Sequence, residues 1–294
     1  MKTPLRYPGG KSRAVKHILP HIPEDVERVC SPFFGGGSVE LAIAARGTEV
    51  RGYDKMKQLV WFWMALCEDN QKLADAVEDL QEEYWIEEKG EFKDSDPIRK
   101  LWIQENGINK FVRGCSKNSF TNFREELKDP SFMFSYEKAA KYYAINRASF
   151  SGATFSGGWS KRASYARFTQ SSIQRLRDFE AKNFRVDYAD FEDAMDYHPK
   201  AFLYLDPPYM LPTTQNALYG TNGDLHRTFD HERLHSLLTK RSGWVMSYND
   251  CETIRDMYSN YKIVEAKWAY GMKNQANKDT TKKMGTSSEL LIIG

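Results

Sequence analysis

A strand pattern, a run of glycines and a helical pattern follow one another near the start of the chain. Residues 27–33 read ERVCSPF, residues 35–37 are all glycine, and residues 38–47 read SVELAIAARG. A second apolar run, residues 49–53, ends at Asp54, and the bulky segment LVWFWMALC that comes next has the length of a buried helix. This order predicts a β-α-β unit, in which the two strands are parallel and the helix covers one face of their sheet.

Short apolar segments return in the second half of the chain, and helical patterns such as residues 231–241 and 252–258 lie between several of them. The alternation predicts an α/β fold with an open, mainly parallel sheet and helices on both faces. The later predicted strands are Phe184–Asp187, Ala201–Leu205, Trp244–Tyr248, Lys262–Tyr270 and Glu289–Ile293. Residues 55–179 interrupt the sheet, so we expect one domain from residues 1–54 and 180–294 and an insertion over residues 55–179.

The composition narrows the class of protein. The chain is 41% hydrophobic and 28% charged, and no run approaches the roughly 18 apolar residues that a membrane helix needs. The cysteines show no CxxC spacing and no nearby pair of histidines; they are Cys30, Cys67, Cys115 and Cys251. We therefore expect a cytoplasmic protein with reduced cysteines, no metal centre and no membrane partner.

Basic and aromatic residues are interleaved between residues 138 and 185. Positive side chains that neutralise phosphates, beside rings that stack or wedge, are typical of a nucleic-acid surface, although an ordinary soluble surface is the alternative. By contrast, the acidic run between residues 68 and 94 is typical of a solvated helix face. The basic residues and rings include Lys138, Lys141, Arg147, Lys161, Arg162, Arg167, Tyr142, Tyr143, Phe150, Phe155, Trp159, Tyr165 and Phe168.

Three of the predicted strands end in polar or glycine-rich sequence. FFGGGS follows the first, Asp54 follows the second, and the sequence DPPY at residues 206–209 follows a later one. The carboxyl ends of parallel strands meet at one edge of a sheet, where ligands bind. Glycines allow a ligand to approach the backbone, and Asp54 can accept hydrogen bonds from both hydroxyls of a ribose, although an ordinary turn and a helix cap are the alternatives. The spacing fits neither GxGxxG nor a GxxxxGK[ST] phosphate loop.

The segment Asp206–Tyr209 resembles the DPPY motif of amino-methyltransferases. Other segments resemble motifs of the Dam-like (D12 class, alpha group) DNA adenine methyltransferases: PGGK, PFxGxGS, NRxxFSG and a closing SELLI strand. In this chain they are Pro8–Lys11, Pro32–Ser38, Asn146–Gly152 and Ser288–Ile292, in the order of the family. Together they span nearly the whole chain, so the set is far more specific than any single motif.

The resemblance implies a Rossmann-like methyltransferase sheet that binds S-adenosylmethionine, with an inserted, mainly helical target-recognition domain. We expect residues 146–168 to form a hairpin or loop that enters DNA, and an ordinary glycine-rich surface loop is the alternative. The resemblance also implies catalysis by Asp206, Pro207, Pro208 and Tyr209. The implied cofactor-binding residues are Tyr7, Gly10, Lys11, Pro32, Phe33, Gly35, Gly37, Ser38, Asp54, Asp190 and Asp206. We expect DNA contacts from Arg6, Lys11, Asn146, Arg147, Ser149, Lys161, Arg162 and Arg167, although a structural or merely solubilising role is the alternative for Arg6, Lys11 and Arg147.

The DPPY sequence suits the chemistry of an exocyclic amine. Such an amine is a poor nucleophile because its lone pair is delocalised into the aromatic ring. Asp206 and the carbonyl of Pro207 can each accept one amine hydrogen bond, which directs the lone pair towards a methyl donor, and Tyr209 can stack on the base. Because the amine is inaccessible inside a duplex, the base must leave the stack.

We therefore predict a site-specific DNA adenine-N6 methyltransferase that acts on double-stranded DNA as a monomer or weak dimer. Two alternatives stay open: a methyltransferase that modifies structured RNA, and a DNA-binding relative that has lost catalysis. The inactive relative is an alternative because the chain departs from the family pattern at one position. Similar enzymes have an acidic residue before the proline of the glycine turn, facing the methionine part of the cofactor, and this chain has Ser31 there.

Overall fold

Seven strands form one sheet in the computed structural model, which describes residues 2–88, 114–129, 133–180, 182–210, 227–267 and 288–294. They are β1 Arg28–Ser31, β2 Glu49–Asp54, β3 Phe184–Tyr188, β4 Phe202–Leu205, β5 Trp244–Asn249, β6 Lys262–Lys267 and β7 Ser288–Ile293. Their spatial order is β3-β2-β1-β4-β5-β7-β6; β7 is antiparallel to β5 and β6, and the other neighbours are parallel. The strand order reverses between β1 and β4, where a doubly wound sheet places its ligand.

Helices connect the strands and cover the sheet. The first half contains α1 Val15–Ile18, α2 Ser38–Ala44, α3 Lys57–Glu68, α4 Asn70–Glu88, α5 Lys117–Lys128 and α6 Tyr136–Ala148. The second half contains α7 Lys161–Arg167, α8 Gln170–Arg177, α9 Phe191–Tyr197, α10 His231–Leu238 and α11 Glu252–Met257. Side chains cap several of these helices, as Ser135 does for α6 and Asp230 for α10. Within the described ranges, no helix is both long enough and apolar enough to span a bilayer.

Successive residues of the central strands alternate between two apolar cores, one on each face of the sheet. On β1, Val29 belongs to the first core and Cys30 to the second; on β4, Tyr204 faces the opposite way from Leu203 and Leu205. Residues of α2, α3, α4 and α6 complete the first core, and residues of α9, α10 and α11 complete the second. Burial on both faces explains the continuous apolar runs in the sequence. The predicted α/β class is confirmed, while residues 268–270 of one predicted strand lie outside the described residues.

The predicted insertion shares its core with the sheet. Helix α3 packs on β2 and β3, and α6 packs on α3 and α4. Trp63 of α3 contacts Phe34 and Phe184, with ring centroids 5.1 and 6.1 Å away. The first helices after residue 55 therefore belong to the helical layer that covers the sheet. That residues 55–179 form an insertion for target recognition stays a prediction.

The segment 146–168 forms a loop between two helices, which is one of the two forms predicted for it. It contains the end of α6, a short 3-10 helix, a loop and α7, and its β structure is an isolated bridge between Ser149 and Trp159. The guanidinium of Arg124 donates to two carbonyls of the loop, at 2.6 and 3.1 Å. Backbone hydrogen bonds also join its two sides: the amide of Phe150 donates to the carbonyl of Gly158 and the amide of Ser160 donates to that of Ala148, each at 2.9 Å. The loop is therefore held by the protein's own hydrogen bonds.

Candidate active site

A cavity of about 260 Å³ opens where the carboxyl ends of β1 and β4 lie side by side. All of the predicted cofactor-binding residues line it: Tyr7, Gly10, Lys11, Pro32, Phe33, Gly35, Gly37, Ser38, Asp54, Asp190 and Asp206. The sequence analysis missed other residues of its wall, among them Glu40, Phe191, Tyr204, Thr228, Phe229 and Asp230. The fold thus brings the predicted set together, and cofactor binding by that set stays a prediction.

The glycine turn after β1 forms one wall of the cavity. Gly35 and Gly37 have φ values of 50° and 67°, in the left-handed region that residues with a side chain rarely adopt. Tyr7 of the N-terminal segment lies against the turn, since a Cβ at Gly36 would be 2.7 Å from the Cβ of Tyr7. The indole N–H of Trp63 donates to the carbonyl of Gly35 at 3.0 Å. Side chains from two distant elements therefore hold the turn in place.

Asp54 connects the end of β2 to the glycine turn. Its Oδ2 accepts from the amide of Gly35 at 3.0 Å, and its Oδ1 accepts from the amide of Met56 at 2.9 Å. Burial raises the pKa of Asp54 to about 6, although these amide donors oppose the shift. Part of the acceptor capacity that the sequence suggested for a ribose is therefore used inside the protein.

Asp190, which follows β3, has one paired and one unpaired carboxylate oxygen. Oδ2 accepts from Lys55 at 2.5 Å, whereas Oδ1 is buried and has no hydrogen-bond partner among the described residues. A buried acceptor without a partner costs roughly 1–3 kcal/mol, so its place on a cavity wall indicates a donor on a ligand. Aromatic rings line the same cavity: Phe33 packs on Phe191 and Phe229, with centroid distances of 5.7 and 5.5 Å.

Asp206 follows β4 and is bound by side chains from two distant segments. Lys11 Nζ donates to both carboxylate oxygens at 2.7 and 2.8 Å, and the Ser247 hydroxyl of β5 donates to Oδ1 at 2.9 Å. These contacts hold the carboxylate in one orientation at the cavity wall. Lys11 is only 4% exposed. Its ammonium group is used inside the protein, which agrees with the structural alternative for Lys11, and its contact with DNA stays a prediction.

The rest of the DPPY segment is held against β5. Tyr209 stacks on Tyr248, with ring centroids 5.6 Å apart and an interplanar angle of 19°. The hydroxyl of Tyr248 contacts Nδ1 of His231 and donates to the carbonyl of Pro208 at 3.4 Å. One face of the Tyr209 ring is therefore covered by Tyr248, and α10 supports this arrangement through His231.

The comparison with protein families agrees with this geometry. The profile of the D12 class N6 adenine-specific DNA methyltransferases matches residues 7–272, which include the N-terminal segment, the glycine turn and the DPPY segment. The chain belongs to this family. It is therefore an enzyme of DNA adenine methylation, and the resemblance that rested on short motifs is confirmed. A search of the curated proteins found no match.

Ser31 of this methyltransferase is fully buried, and its hydroxyl donates to Oε1 of Glu40 at 2.8 Å. Glu40 lies in the first turn of α2, lines the cavity and is 3% exposed. Burial raises the pKa of Glu40 to about 8; hydrogen bonds from Ser31 and the backbone oppose this shift, and the charge of Asp206 adds to it. The feature of the sequence that could have indicated Glu40 is an acidic residue between the core positions Val39 and Leu41.

Asn146 and Ser149 of the methyltransferase are buried, and their contact with DNA stays a prediction. The Asn146 side chain accepts from the amide of Arg6 at 3.1 Å and donates to the carbonyls of Arg6 and Gly152 at 2.7 and 3.1 Å. The Ser149 hydroxyl accepts from the amide of Thr154 at 3.1 Å. Both side chains bind the protein's own backbone.

Arg147 is also a buried residue, which agrees with the structural alternative that the sequence left open for it. Its guanidinium donates to the carbonyl of Pro4 at 3.2 Å and to the carbonyl of Arg167 at 2.7 Å. Burial lowers the pKa of Arg147, and the charges of Arg175 and Arg167 add to this effect. Together with Asn146, this arginine fixes the N-terminal segment, which carries Tyr7 and Lys11 into the cavity.

Other residues of the predicted DNA surface do reach solvent. Lys161, Arg162 and Arg167 are exposed on α7, and Phe150 is 59% exposed on the loop before it. Arg6 is half-buried nearby, and burial together with two neighbouring guanidinium groups lowers its pKa to about 10. Cations and an exposed ring lie together here, so DNA contact by α7 and the loop before it stays a prediction.

Proposed function

We propose that this enzyme transfers a methyl group from S-adenosylmethionine to the N6 amine of an adenine that has left the stack of double-stranded DNA, at a specific sequence. The observation that carries the proposal is the cavity at the ends of β1 and β4, where the Asp206 carboxylate lies beside the glycine turn. Family membership supports adenine as the base and DNA as the polymer. The donor, the duplex and the sequence specificity are our inferences.

The lining of the cavity fits the chemistry of S-adenosylmethionine. The buried Oδ1 of Asp190, unpartnered among the described residues, can accept from the amino group of an adenine ring. Phe33 and Phe191 offer apolar surface for such a ring, and Asp54 offers carboxylate oxygens to a hydroxyl. When bound, the cofactor supplies a methyl group on a sulfonium centre. The glycine turn gives it access to the backbone.

The Asp206 carboxylate is arranged to accept one hydrogen bond from an aromatic amine. Lys11 and Ser247 fill both acceptor positions of Oδ1, whereas Lys11 takes one of the two positions of Oδ2. The remaining position of Oδ2 is available to an amine hydrogen, and the Pro207 carbonyl can accept the second. Two acceptors favour a pyramidal nitrogen whose lone pair is free to react, so positioning and electrostatics carry the catalysis.

Lys11 lies between the two groups that a target base would use. Besides its bonds to Asp206, its ammonium group lies 4.9 Å from the centroid of the Tyr209 ring. Such a contact with a ring face is favourable, and it fixes both side chains before substrate arrives. We infer that an incoming adenine takes over part of these contacts, stacking on the Tyr209 ring and donating to Asp206.

The loop before α7 suits the step in which the base leaves the duplex. Unstacking costs about a few kcal/mol, and an inserted side chain that fills the gap offsets this cost. Phe150 is exposed on a loop that Asn146 and Arg124 hold by hydrogen bonds, so its ring is presented from a fixed support. The cations of α7 can neutralise phosphates on either side of the gap.

Incubation of the purified enzyme with methyl-labelled S-adenosylmethionine and duplex DNA tests the proposal. Single-stranded DNA and structured RNA of the same sequence are tested as alternative substrates. Digestion of the duplex to nucleosides after the reaction identifies the base that carries the label. We expect label in N6-methyladenine of the duplex. Label in RNA alone would favour the RNA alternative, and DNA binding without transfer to any substrate would overturn the proposal. Sequencing of modified DNA then gives the recognition sequence.

A further inference from the structure

Glu40 and Asp206 are two of the carboxylates that line the cavity, and their charge partners differ. Asp206 pairs with Lys11 at 2.7 Å. In the part of the chain that the structure describes, Glu40 has no lysine, arginine or histidine within ion-pair distance. Nevertheless it is 3% exposed and close enough to Asp206 for the two charges to interact. An ionised carboxylate is stable in such a place only when a cation compensates it.

Ser31 prepares Glu40 for a charged partner. Its hydroxyl donates to Oε1 of Glu40 at 2.8 Å, and the backbone amides of Val39 and Glu40 also favour the ionised carboxylate. Donors that stabilise the charged form reduce the free energy needed to ionise the acid once a cation enters the cavity. A serine at the end of β1 therefore orients an acid on the neighbouring helix instead of supplying one itself.

We propose that Glu40, positioned by Ser31, binds the α-ammonium group of the amino-acid part of S-adenosylmethionine. The inference rests on the proposed function, because its ligand is the proposed cofactor. The acid that similar enzymes have at the end of β1 is supplied here from the first turn of α2. The serine at position 31 then means that the acid for the ammonium group is at a different position, and it does not mean that the ammonium site is lost.

The charges at the cavity support this assignment over a purely structural role for Glu40. S-adenosylmethionine has an ammonium and a sulfonium, and Asp206 already has Lys11 as its partner. Glu40 is the cavity-lining acid that has a side-chain donor to orient it and no cationic side chain within the described ranges. A buried acid whose role was only structural would be better replaced by an apolar residue, because ionising it would cost stability.

Calorimetric titration with S-adenosylhomocysteine and with 5′-methylthioadenosine tests the inference. Both ligands contain the adenosine thioether, but only S-adenosylhomocysteine has the ammonium group. Glu40→Gln keeps the size of the side chain and removes its charge. We expect it to weaken S-adenosylhomocysteine at least about tenfold, the scale of one buried charge-assisted hydrogen bond, and to change 5′-methylthioadenosine less than about twofold.

Ser31→Ala is the second variant, because it leaves the carboxylate and removes its orienting donor. We expect a loss of at least about threefold for S-adenosylhomocysteine alone, because the ionised carboxylate loses one donor and keeps its backbone donors. Unchanged affinity of Glu40→Gln for S-adenosylhomocysteine would overturn the inference, and so would equal losses for both ligands. If the unaltered enzyme bound neither ligand, the cofactor assignment itself would fail, and that result is separate from any effect of Glu40.

Discussion

The cavity at the strand ends and the segment 146–168 both contain family motifs, but the structure uses their side chains in opposite ways. Every predicted cofactor-binding residue lines the cavity, whereas Asn146, Arg147 and Ser149 are buried and bind the protein's own backbone. Residues at the ends of parallel strands share one edge because the topology places them there. Which side chains of a loop face solvent depends instead on the residues that pack beneath the loop.

The buried motif still serves the active site. Asn146 and Arg147 bond to the backbone at residues 4 and 6, and the same N-terminal segment carries Tyr7 and Lys11 to the cavity. The two regions therefore differ in role: one provides groups that face the ligands, and the other fixes the segment that delivers some of these groups. Substitutions in each region should separate catalysis, DNA binding and stability.

The largest effect is expected for Asp206→Ala in the cavity. We expect methyl transfer to fall at least about a hundredfold, because a preorganised acceptor for the reacting amine is lost. Affinity for duplex DNA should stay within about threefold, since the phosphate contacts lie elsewhere. Single-turnover rates and a filter-binding assay on the same protein measure both quantities. Near-normal turnover in this variant would contradict the role given to Asp206.

A variant in which Lys161, Arg162 and Arg167 are all alanine tests the exposed part of the other region. The loss of three phosphate contacts should make the slope of the log binding constant against log salt concentration less steep by up to about 2.7. It should also weaken binding on the order of a hundredfold at about 0.1 M salt. The free energy of unfolding should change little, because these side chains are exposed. Binding measured over a series of salt concentrations gives the slope, and an unchanged slope would remove α7 from the DNA surface.

Asn146→Ala tests the buried part of the same region. We expect the free energy of unfolding to fall by about 1–3 kcal/mol, because the backbone groups of Arg6 and Gly152 lose their partner. The salt slope of DNA binding should match that of the unaltered enzyme. Urea denaturation gives the first quantity and salt titration the second. Weaker DNA binding at one salt concentration with unchanged stability would show that Asn146 contacts DNA.

A pH dependence of cofactor affinity is expected from Glu40. Burial raises the pKa of Glu40 to about 8, so the free enzyme holds it mostly protonated below that pH. An ammonium ligand requires the ionised form; affinity for S-adenosylhomocysteine should therefore rise about tenfold per pH unit from about pH 6 and level off above about pH 8.

Glu40→Gln is the control for the pH profile, because titration of the ligand itself affects both proteins equally. Ser31, Tyr204 and the Asp206–Lys11 pair face or influence the Glu40 carboxylate and stay in place in the variant. The difference between the two profiles isolates the contribution of Glu40. Parallel profiles would show that Glu40 does not ionise when the ligand binds.

The sequence by itself determined the sheet, the strand-end site and the family. Alternation of apolar runs with helical patterns predicts a parallel sheet, and glycines or carboxylates directly after strands converge at one edge. These features depend on neighbours along the chain and on a topology with few alternatives. Asp54, Asp190 and Asp206 were placed correctly around one cavity for this reason.

Only the tertiary structure decided which polar side chains face ligands and which face the protein. Lys11 and Asp206 are 195 positions apart, and Asn146 bonds to a residue 140 positions away, so no local pattern records either contact. The hydrogen bond from Ser31 to Glu40 likewise depends on how β1 and α2 are placed side by side. Hydrogen-bond partners are set by distance in space, and in this chain the partners that complete the site come from opposite ends of the sequence.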